Sequence, residues 1–533
     1  MDRVSKIAAR LGSPRHVQRF VKEEDGYIVV FTVVIFTLML AFAGFGLDII
    51  QFETTRTKLQ QTSDRATLAA ASLTQKKDAK LLVEDYFDKA GLGDSLKSVV
   101  TEKLLNSSVV STEAQIVLTP TFMNLWDLEN KLKLTANAKS RAEQRINNIE
   151  IVLVLDVSGS MVRDRYNNPL PKLANLKTAA SEFIDTVLAQ DTENRVSIAI
   201  VPYNGQVNLP EYLQQAFTNR IGDHGVANVN CFDLPPETYS SLGLPADTEL
   251  PVTAHADTRS DRYSAAPNPG NRWCPPSTKN VIRAPTNDGA ALKAHINGLE
   301  GNGATSINAG LKWGLALLDP SSASLIDTMV GAGQTPSNFS NRPFAYNARE
   351  AMKIVVLMTD GEHFEEERMN ADYRTGISNI WYDSASKRYS VYHDKSGDKD
   401  YFYPHTGYWY TAPSGSGAVQ QTWPQVWEKL RVSYVAYNMW VRPLGGTLNS
   451  RWNMFRSKTP VATMNAQLQQ VCDAAHAKDV IVYGIAFEAP TNGQTAIANC
   501  ASSPAHYFNA AGLEITTAFR SIATNISQLK LTQ

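Results

Sequence analysis

The sequence predicts an α/β fold: a mostly parallel sheet with helices on both faces and long insertions, preceded by a membrane-spanning helix, a helical stalk and a small α+β region. Three observations predict it. Residues 151–155, IVLVL, form an unbroken apolar run, the pattern of a strand covered on both faces. From residue 146 onward such runs alternate with amphipathic helical segments, the rhythm of a parallel sheet. Residues 27–47 read YIVVFTVVIFTLMLAFAGFGL without a charge. At about 1.5 Å per residue that helix spans roughly 30 Å, the thickness of a hydrocarbon core.

The span is followed by DIIQF at 48–52, with no small-residue cleavage site, so it reads as an uncleaved single-pass anchor. Arg3, Lys6, Arg10, Arg15, Arg19 and Lys22 precede it, against Arg56, Lys58 and Arg65 as the nearest basic residues after it. That asymmetry places the N-terminus in the cytoplasm and the rest outside. At 533 residues several domains are expected. The expected division is 1–26 cytoplasmic, 27–47 spanning, 48–76 stalk, 77–145 small α+β region and 146–533 main domain. The net charge of −1 argues against nucleic acid as a partner, and no phosphate-binding glycine motif occurs.

Along the chain, residues 48–73 lack proline and glycine, and Ile49, Phe52, Leu59, Ala66, Ala70 and Leu73 recur as one helical stripe. A short helix at 79–90 stops at Gly91-Leu92-Gly93, and strand patterns fill 98–142 on either side of a turn at 124–130. The main domain reads as strand 151–155, helix 172–188, strand 195–203, helix 306–318, strand 352–358, helix 463–477, strand 480–487 and helix 513–529. Insertions fall at about 204–285 and 362–460. The second is aromatic-rich, with YFYPHTGYWY at 401–410 and a helix expected over 423–440 carrying Trp427, Leu430, Tyr434 and Tyr437 on one side. Its aromatic surface suits protein contact ahead of sugar stacking.

Four cysteines occur without a close metal-type pair. Pairing Cys231 with Cys274 and Cys472 with Cys500 is the simplest of three connectivities and fits an oxidising compartment; free buried thiols are the alternative.

The stretch IVLVLDVSGSM at 151–161 ends a buried strand in Asp156, Ser158 and Ser160, three oxygen-bearing side chains at alternate positions. Half an octahedron of oxygens suits a hard cation. Thr305, in the glycine-rich turn GATSIN at 303–308, and Asp360, at the end of IVVLMTDG at 354–361, are further ligands expected at strand or helix edges on the same face. Asp156, Ser158, Ser160, Thr305 and Asp360 together resemble the metal-ion-dependent adhesion site of the von Willebrand factor A domain, whose fold is Rossmann-like. The resemblance implies direct ligation by Ser158 and Ser160, direct or water-mediated ligation by Thr305, and largely water-mediated ligation by Asp156 and Asp360. It also implies a divalent cation, Mg2+ first with Mn2+ or Ca2+ as alternatives, completed by an acidic side chain from a protein partner.

A second resemblance lies at the other end. Gly26, the membrane helix closing in Gly46-Leu47-Asp48, and RTKLQQTSDRATLAAASL at 56–73 with Gln60, Asp64, Ala66, Ala69 and Ala70 resemble the TadE/TadG-like proteins of tight-adherence (Flp) pilus assembly. Phe31 stands where prepilin-type processing would want a glutamate, so cleavage after Gly26 is not expected. The two resemblances together suggest the TadG-like members, which join an anchor to an A domain. They imply an inner-membrane protein with a periplasmic or surface-facing C-terminal domain that binds pilus-assembly partners. A surface adhesin for host, matrix or carbohydrate ligands is the alternative.

His363 with Glu365, Glu366 and Glu367 reads as a solvated acidic loop or an auxiliary cation site. Asp164 and Asp185 read as surface groups. No histidine neighbours Ser158 in the sequence and no HExxH occurs, so an enzyme is not expected.

Overall fold

The structure, a computed structural model, describes residues 25–72, 77–103, 107–125, 132–145, 148–189, 191, 194–259, 261–348, 351–395 and 397–531. The basic residues expected to set topology, Arg3 to Lys22, lie outside the described residues, as do Leu73 and most of the 124–130 turn. The chain divides into two compact units, Met1–Ile146 and Asn147–Thr532.

In the first unit, helix α1 (Asp25–Ala70) runs unbroken for 46 residues. Among the described residues it is the one helix long and apolar enough to cross a membrane. Its first half leaves Ile28, Phe36, Met39 and Phe42 more than half exposed. Its second half buries Leu59, Ser63, Ala66, Thr67 and Ala70, a stripe of three- and four-residue steps. Small side chains let the helix close on a three-stranded antiparallel sheet, β1 (Leu96–Lys103), β2 (Ser107–Leu118) and β3 (Leu134–Arg145). Thr112 on β2 bonds Ser63 Oγ at 2.7 Å and Thr67 Oγ1 at 2.8 Å, so the buried hydroxyls satisfy one another. Helix α2 (Ala79–Lys89) starts at Asp78, whose carboxylate accepts the Lys80 and Leu81 amides. The expected stripe is corrected at Ile49, which is 51% exposed. Asp48 takes the inward position instead, and the next residue points about 100° away round the helix.

The second unit is built on a six-stranded sheet. Its elements are β4 (Asn148–Asp156), α3 (Lys172–Ala189), β5 (Val196–Tyr203), β6 (Arg283–Thr286), α4 (Gly289–Gly298), α5 (Ile307–Ala316), β7 (Ala351–Thr359), α6 (Val461–His476), β8 (Ile481–Phe487), α7 (Thr491–Cys500), β9 (Tyr507–Ala510) and α8 (Glu514–Leu531). Strand order is β9-β8-β7-β4-β5-β6, parallel throughout except for the antiparallel edge β6. Alternate residues of β4 feed two cores. Val152 and Val154 pack with α5, α6 and α7 on one face, while Ile151, Leu153 and Leu155 pack with α3, α4 and α8 on the other. Each such buried side chain contributes about 1.5–3 kcal/mol. The chain builds outward from β4 through β5 to β6 on one side, then from β7 through β8 to β9 on the other. The order therefore reverses between β4 and β7, and the crevice at their carboxyl ends is the topological switch point.

Disulfides join Cys231 to Cys274 in the first insertion and Cys472 on α6 to Cys500 on α7. The second insertion holds a five-stranded antiparallel sheet over 377–422 and an aromatic core that includes Trp423, Trp427, Trp440 and Phe455. In the 401–410 stretch Phe402 is buried while Tyr408 is 69% exposed, so alternation spends part of the cluster on that core. The single helix expected over 423–440 is corrected. Trp423–Lys429 ends at Leu430, which is extended, and helix resumes at Val432 before passing into a π-helical stretch, Ala436–Val441. Arg431 causes the break: its guanidinium is tied to Asp257 at 3.2 Å and Asp261 at 2.9 Å, and its amide bonds Ala265 O. These tertiary contacts outweigh local helical preference.

At the amino end of the sheet, Glu150 on β4 faces Lys353 on β7 in register, both nearly inaccessible and ion-paired. Lys353→Met would leave the Glu150 carboxylate buried without its cation and should cost about 3–5 kcal/mol, most of it recovered in the Glu150→Leu/Lys353→Met pair. Urea unfolding followed by tryptophan fluorescence reads both. On α4, burial pushes the His295 imidazole down to about 4, with the Arg283 charge adding to the effect. A folded value below the ordinary 6.5 means that stability present above pH 6.5 is lost as pH falls toward 4, by about 2 kcal/mol at pH 5. His295→Gln should flatten that part of the pH–stability curve; parallel curves for the two proteins would contradict it.

Candidate metal centre

The carboxyl ends of β4 and β7 bring four of the five expected ligands into one hydrogen-bonded cluster. Asp156 is fully buried. Its Oδ1 accepts the Ser158 amide at 2.8 Å and its Oδ2 accepts Thr359 Oγ1 at 2.7 Å. Ser158 Oγ lies 2.9 Å from Ser160 Oγ, which donates to Asp360 Oδ1 at 2.7 Å. The fifth, Thr305, stands beside them: a Cβ built on Gly361 would lie 3.7 Å from Thr305 Oγ1 and 3.9 Å from Ser160 Oγ. The missing side chain at 361 thus leaves open space between two hydroxyls.

Local backbone geometry holds the loops in place. Asn302 N–H donates to Val157 O at 2.9 Å and Gly159 N–H to Gly303 O at 3.1 Å. Gly303 has φ +80°, a conformation that glycine adopts without cost. From the β7 side, Phe364 N–H donates to Thr305 O at 2.9 Å. His363 Nδ1 accepts the Ile307 amide at 3.3 Å, one of the free N–H groups at the start of α5. Burial pushes the His363 imidazole down to about 3, so the ring is neutral and able to accept.

The electrostatics are those of a partly neutralised acidic pocket. Burial first, then the neighbouring Asp360 charge, raise the Asp156 carboxyl above the usual range, against the bonds from Ser158 and Thr359. Lys172, the first residue of α3, reaches Asp360 Oδ2 at 3.0 Å and Glu488 at 3.6 Å. One ammonium is therefore shared between the buried Asp360 carboxylate and the more exposed Glu488. The donor set consists of hydroxyl and carboxylate oxygens alone, which fits Mg2+ or another hard cation. Among the described residues no group of three or more His, Cys, Asp or Glu side chains forms a conventional metal cluster.

The acidic loop after Asp360 is only partly solvated, and its three glutamates are ion-paired. Glu366 is buried against Arg368 at 2.8 Å, Glu367 pairs with Arg456 and Glu365 with Lys458, while His363 turns to α5. Lys172 and Thr359 are members of the cluster that sequence reasoning missed. Thr359, directly preceding Asp360 at a strand end, was visible as a candidate. A lysine opening an amphipathic helix carries no signal of burial.

A family model described as Putative Flp pilus-assembly TadE/G-like matches residues 26–73, over the apolar half of α1 and the packed half beyond it. The sequence matches no curated protein. Among solved structures, the vWF domain of the type V pili tip protein Mfa5 from Porphyromonas gingivalis is similar at 12% identity and TM-score 0.32, covering 72% of this chain and 97% of that one. The adhesive tip pilin GBS104 from Group B Streptococcus agalactiae is similar at 13% identity and TM-score 0.30, covering 71% and 99%. Proximal thread matrix protein 1 from the mussel byssus, with a zinc-occupied MIDAS motif, is similar at 10% identity and TM-score 0.26, covering 71% and 46%.

Thr359→Val keeps the side-chain shape but strips a donor from a buried carboxylate. It should cost about 1–3 kcal/mol, measured by urea unfolding in EDTA; an unchanged midpoint would remove Thr359 from the cluster's support.

Proposed function

We propose that this chain is a membrane-anchored, extracytoplasmic component of tight-adherence pilus assembly, and that its second unit is a von Willebrand factor A domain that grips an acidic protein partner through a divalent cation. The carrying observation is the Asp156–Ser158–Ser160–Asp360 cluster, drawn together from strand ends 200 residues apart in the chain. The TadE/G-like match at 26–73 supports the pilus context, and the apolar helix supports a single-pass anchor. We take that anchor to lie in the bacterial inner membrane, residues 1–26 cytoplasmic, 27–47 spanning and 48–76 a stalk that carries the rest into the periplasm.

The ion, Mg2+ in this reading, would be held by Ser158, Ser160 and Thr305 with Asp156 and Asp360 behind them, and would supply a positive centre open to a partner carboxylate. The chain's own residues favour that use. Asp156 spends its oxygens on Ser158 and Thr359, and Lys172 engages one oxygen of Asp360. Little anionic charge remains to saturate a cation, so an acidic ligand from outside is welcome. Binding is proposed rather than catalysis: among the described residues no histidine hydrogen-bonds Ser158 or Ser160 to make it a nucleophile.

The test is a crosslinking pull-down from native membranes with the unmutated chain and Asp156→Ala, each in Mg2+ and in EDTA, alongside calorimetric Mg2+ titration. A pilus-machinery protein should be captured only with an intact site and metal, and Asp156→Ala should lose Mg2+ binding while keeping its far-UV spectrum. Identical partners in all four samples, or Mg2+ binding that survives the substitution, would overturn the reading. Cleavage by protease added to intact cells would favour a surface adhesin instead.

A further inference from the structure

Asp48 is the first charged residue after the apolar run at 27–47, and it is buried. Its Oδ1 accepts the Thr121 amide at 3.0 Å, and its Oδ2 accepts those of Phe122 at 2.8 Å and Met123 at 2.7 Å. One helical position thus pins the turn that follows β2 and continues into the short 3-10 segment Met123–Leu125. The turn reaches back along the helix. A Cβ on Gly44 would lie 2.7 Å from the Phe122 ring, so the ring rests on helix backbone that only glycine leaves open. Gly44 stands four residues inside Asp48, roughly 6 Å deeper into the apolar run. Phe122 nevertheless keeps 38% of its surface exposed, and Leu125, whose amide bonds Phe122 O at 3.2 Å, keeps 75%; Phe42 and Leu47, on either side of Gly44 in the run, are bare as well.

We propose that residues 121–125 form a lipid-facing wedge: Phe122 and Leu125 enter the boundary between headgroups and acyl chains, and seat the first unit on the bilayer. The proposal rests on reading 27–47 as the membrane span. Continuity identifies the occupant. Phe122 is packed on the helix inside the stretch read as the span, so the lipid around Gly44 also meets the exposed part of the ring, and Leu125 lies one 3-10 turn further on. Amphipathic interfacial segments sit about 5–10 Å into this boundary, the same depth scale. Irregular backbone with bare amides is unfavourable there, and Asp48 takes up three of those N–H groups.

The experiment uses the full chain with one added cysteine at a time, Leu125→Cys, Phe36→Cys or Leu81→Cys. Each is labelled with a nitrobenzoxadiazole fluorophore in phosphatidylcholine–phosphatidylglycerol vesicles; the native cysteines are engaged in disulfides. Phe36 is 60% exposed within the run and Leu81 is 63% exposed on α2, so both label without disturbing a core. The Leu125 probe should be blue-shifted, quenched by lipids doxyl-labelled near the headgroup and resistant to iodide, whereas the Leu81 probe should show the reverse. Gly44→Leu, which displaces the Phe122 ring, should restore iodide quenching at position 125. If the Phe36 probe escapes deep doxyl lipid, the span reading fails and takes the wedge with it. If Phe36 is quenched but Leu125 stays open to iodide, the wedge alone is overturned. Protection of Leu125 from both quenchers also overturns it, and points to a protein or a second copy as the cover.

Discussion

The hydrogen bond from Thr359 to Asp156 joins the carboxyl ends of the two central strands, and the arrangement around the cluster depends on it. Both strands are buried on both faces, so a polar group along their length has to be paired inside the protein, as Glu150 and Lys353 are, and further polarity gathers where the strands run out. At that end Asp156 cannot be solvated, and its charge is tolerable only because the loops supply donors: the Ser158 amide, the Thr359 hydroxyl and, through Ser160 and Asp360, the ammonium of Lys172. The serine loop therefore closes over the carboxylate rather than extending into solvent. The same closure brings Ser160, with Ser158 bonded behind it, to the space beside Gly361.

The opposite end of the same strand pair is locked by a different chemistry. Glu150 and Lys353 meet in register, Lys353 also donates to Leu318 O at 2.8 Å, and Arg342 donates to Ile149 O at 3.0 Å. A buried ion pair adds little net stability over a hydrophobic one of like volume, yet it penalises any slip that would part its members. Parallel strands of Val, Ile and Leu would otherwise pair almost equally well one step out of register. Fixing the register of β4 against β7 at one end is what brings Asp156 level with Thr359 at the other.

The strands and helices of the central sheet were legible because burial on both faces writes long apolar runs, and helices that cover them write a three-four periodicity. The edge elements were not: β6 has four residues, RAPT, with a proline, and β9 has four, YFNA, too short for any periodicity to register. Helix α7 begins TNGQT, a sequence that reads as loop, and packs through Gly493, Ile497 and Cys500 instead of through a broad apolar stripe. The expected ligands were legible as residue types at strand ends, since oxygen side chains after a buried strand need a reason. Lys172 was not, because what buries it is Asp360, 188 residues away. The break at Leu430 was hidden for the same reason: its cause, Asp257 and Asp261, belongs to another insertion.

The two insertions bear on the cluster together rather than as separate decorations. The chain leaving Asp360 runs within six residues into Glu366, which takes Gln206 Nε2 at 2.6 Å and Arg368 at 2.8 Å. Arg368 donates to Leu234 O, and Arg374 pairs with Asp233, so the second insertion is fastened to the first by buried charge. Arg272 of the first donates in turn to Glu428 O of the second. Short, buried and charged links of this kind have few alternative arrangements, because each displaced partner would be left desolvated. Between Asp360 and Glu366 lie His363 and Phe364, which hold Ile307 and Thr305. The stretch 361–366 is thus held at both ends, by Thr305 and Ile307 beside the cluster and by the buried charges of the two insertions beyond it.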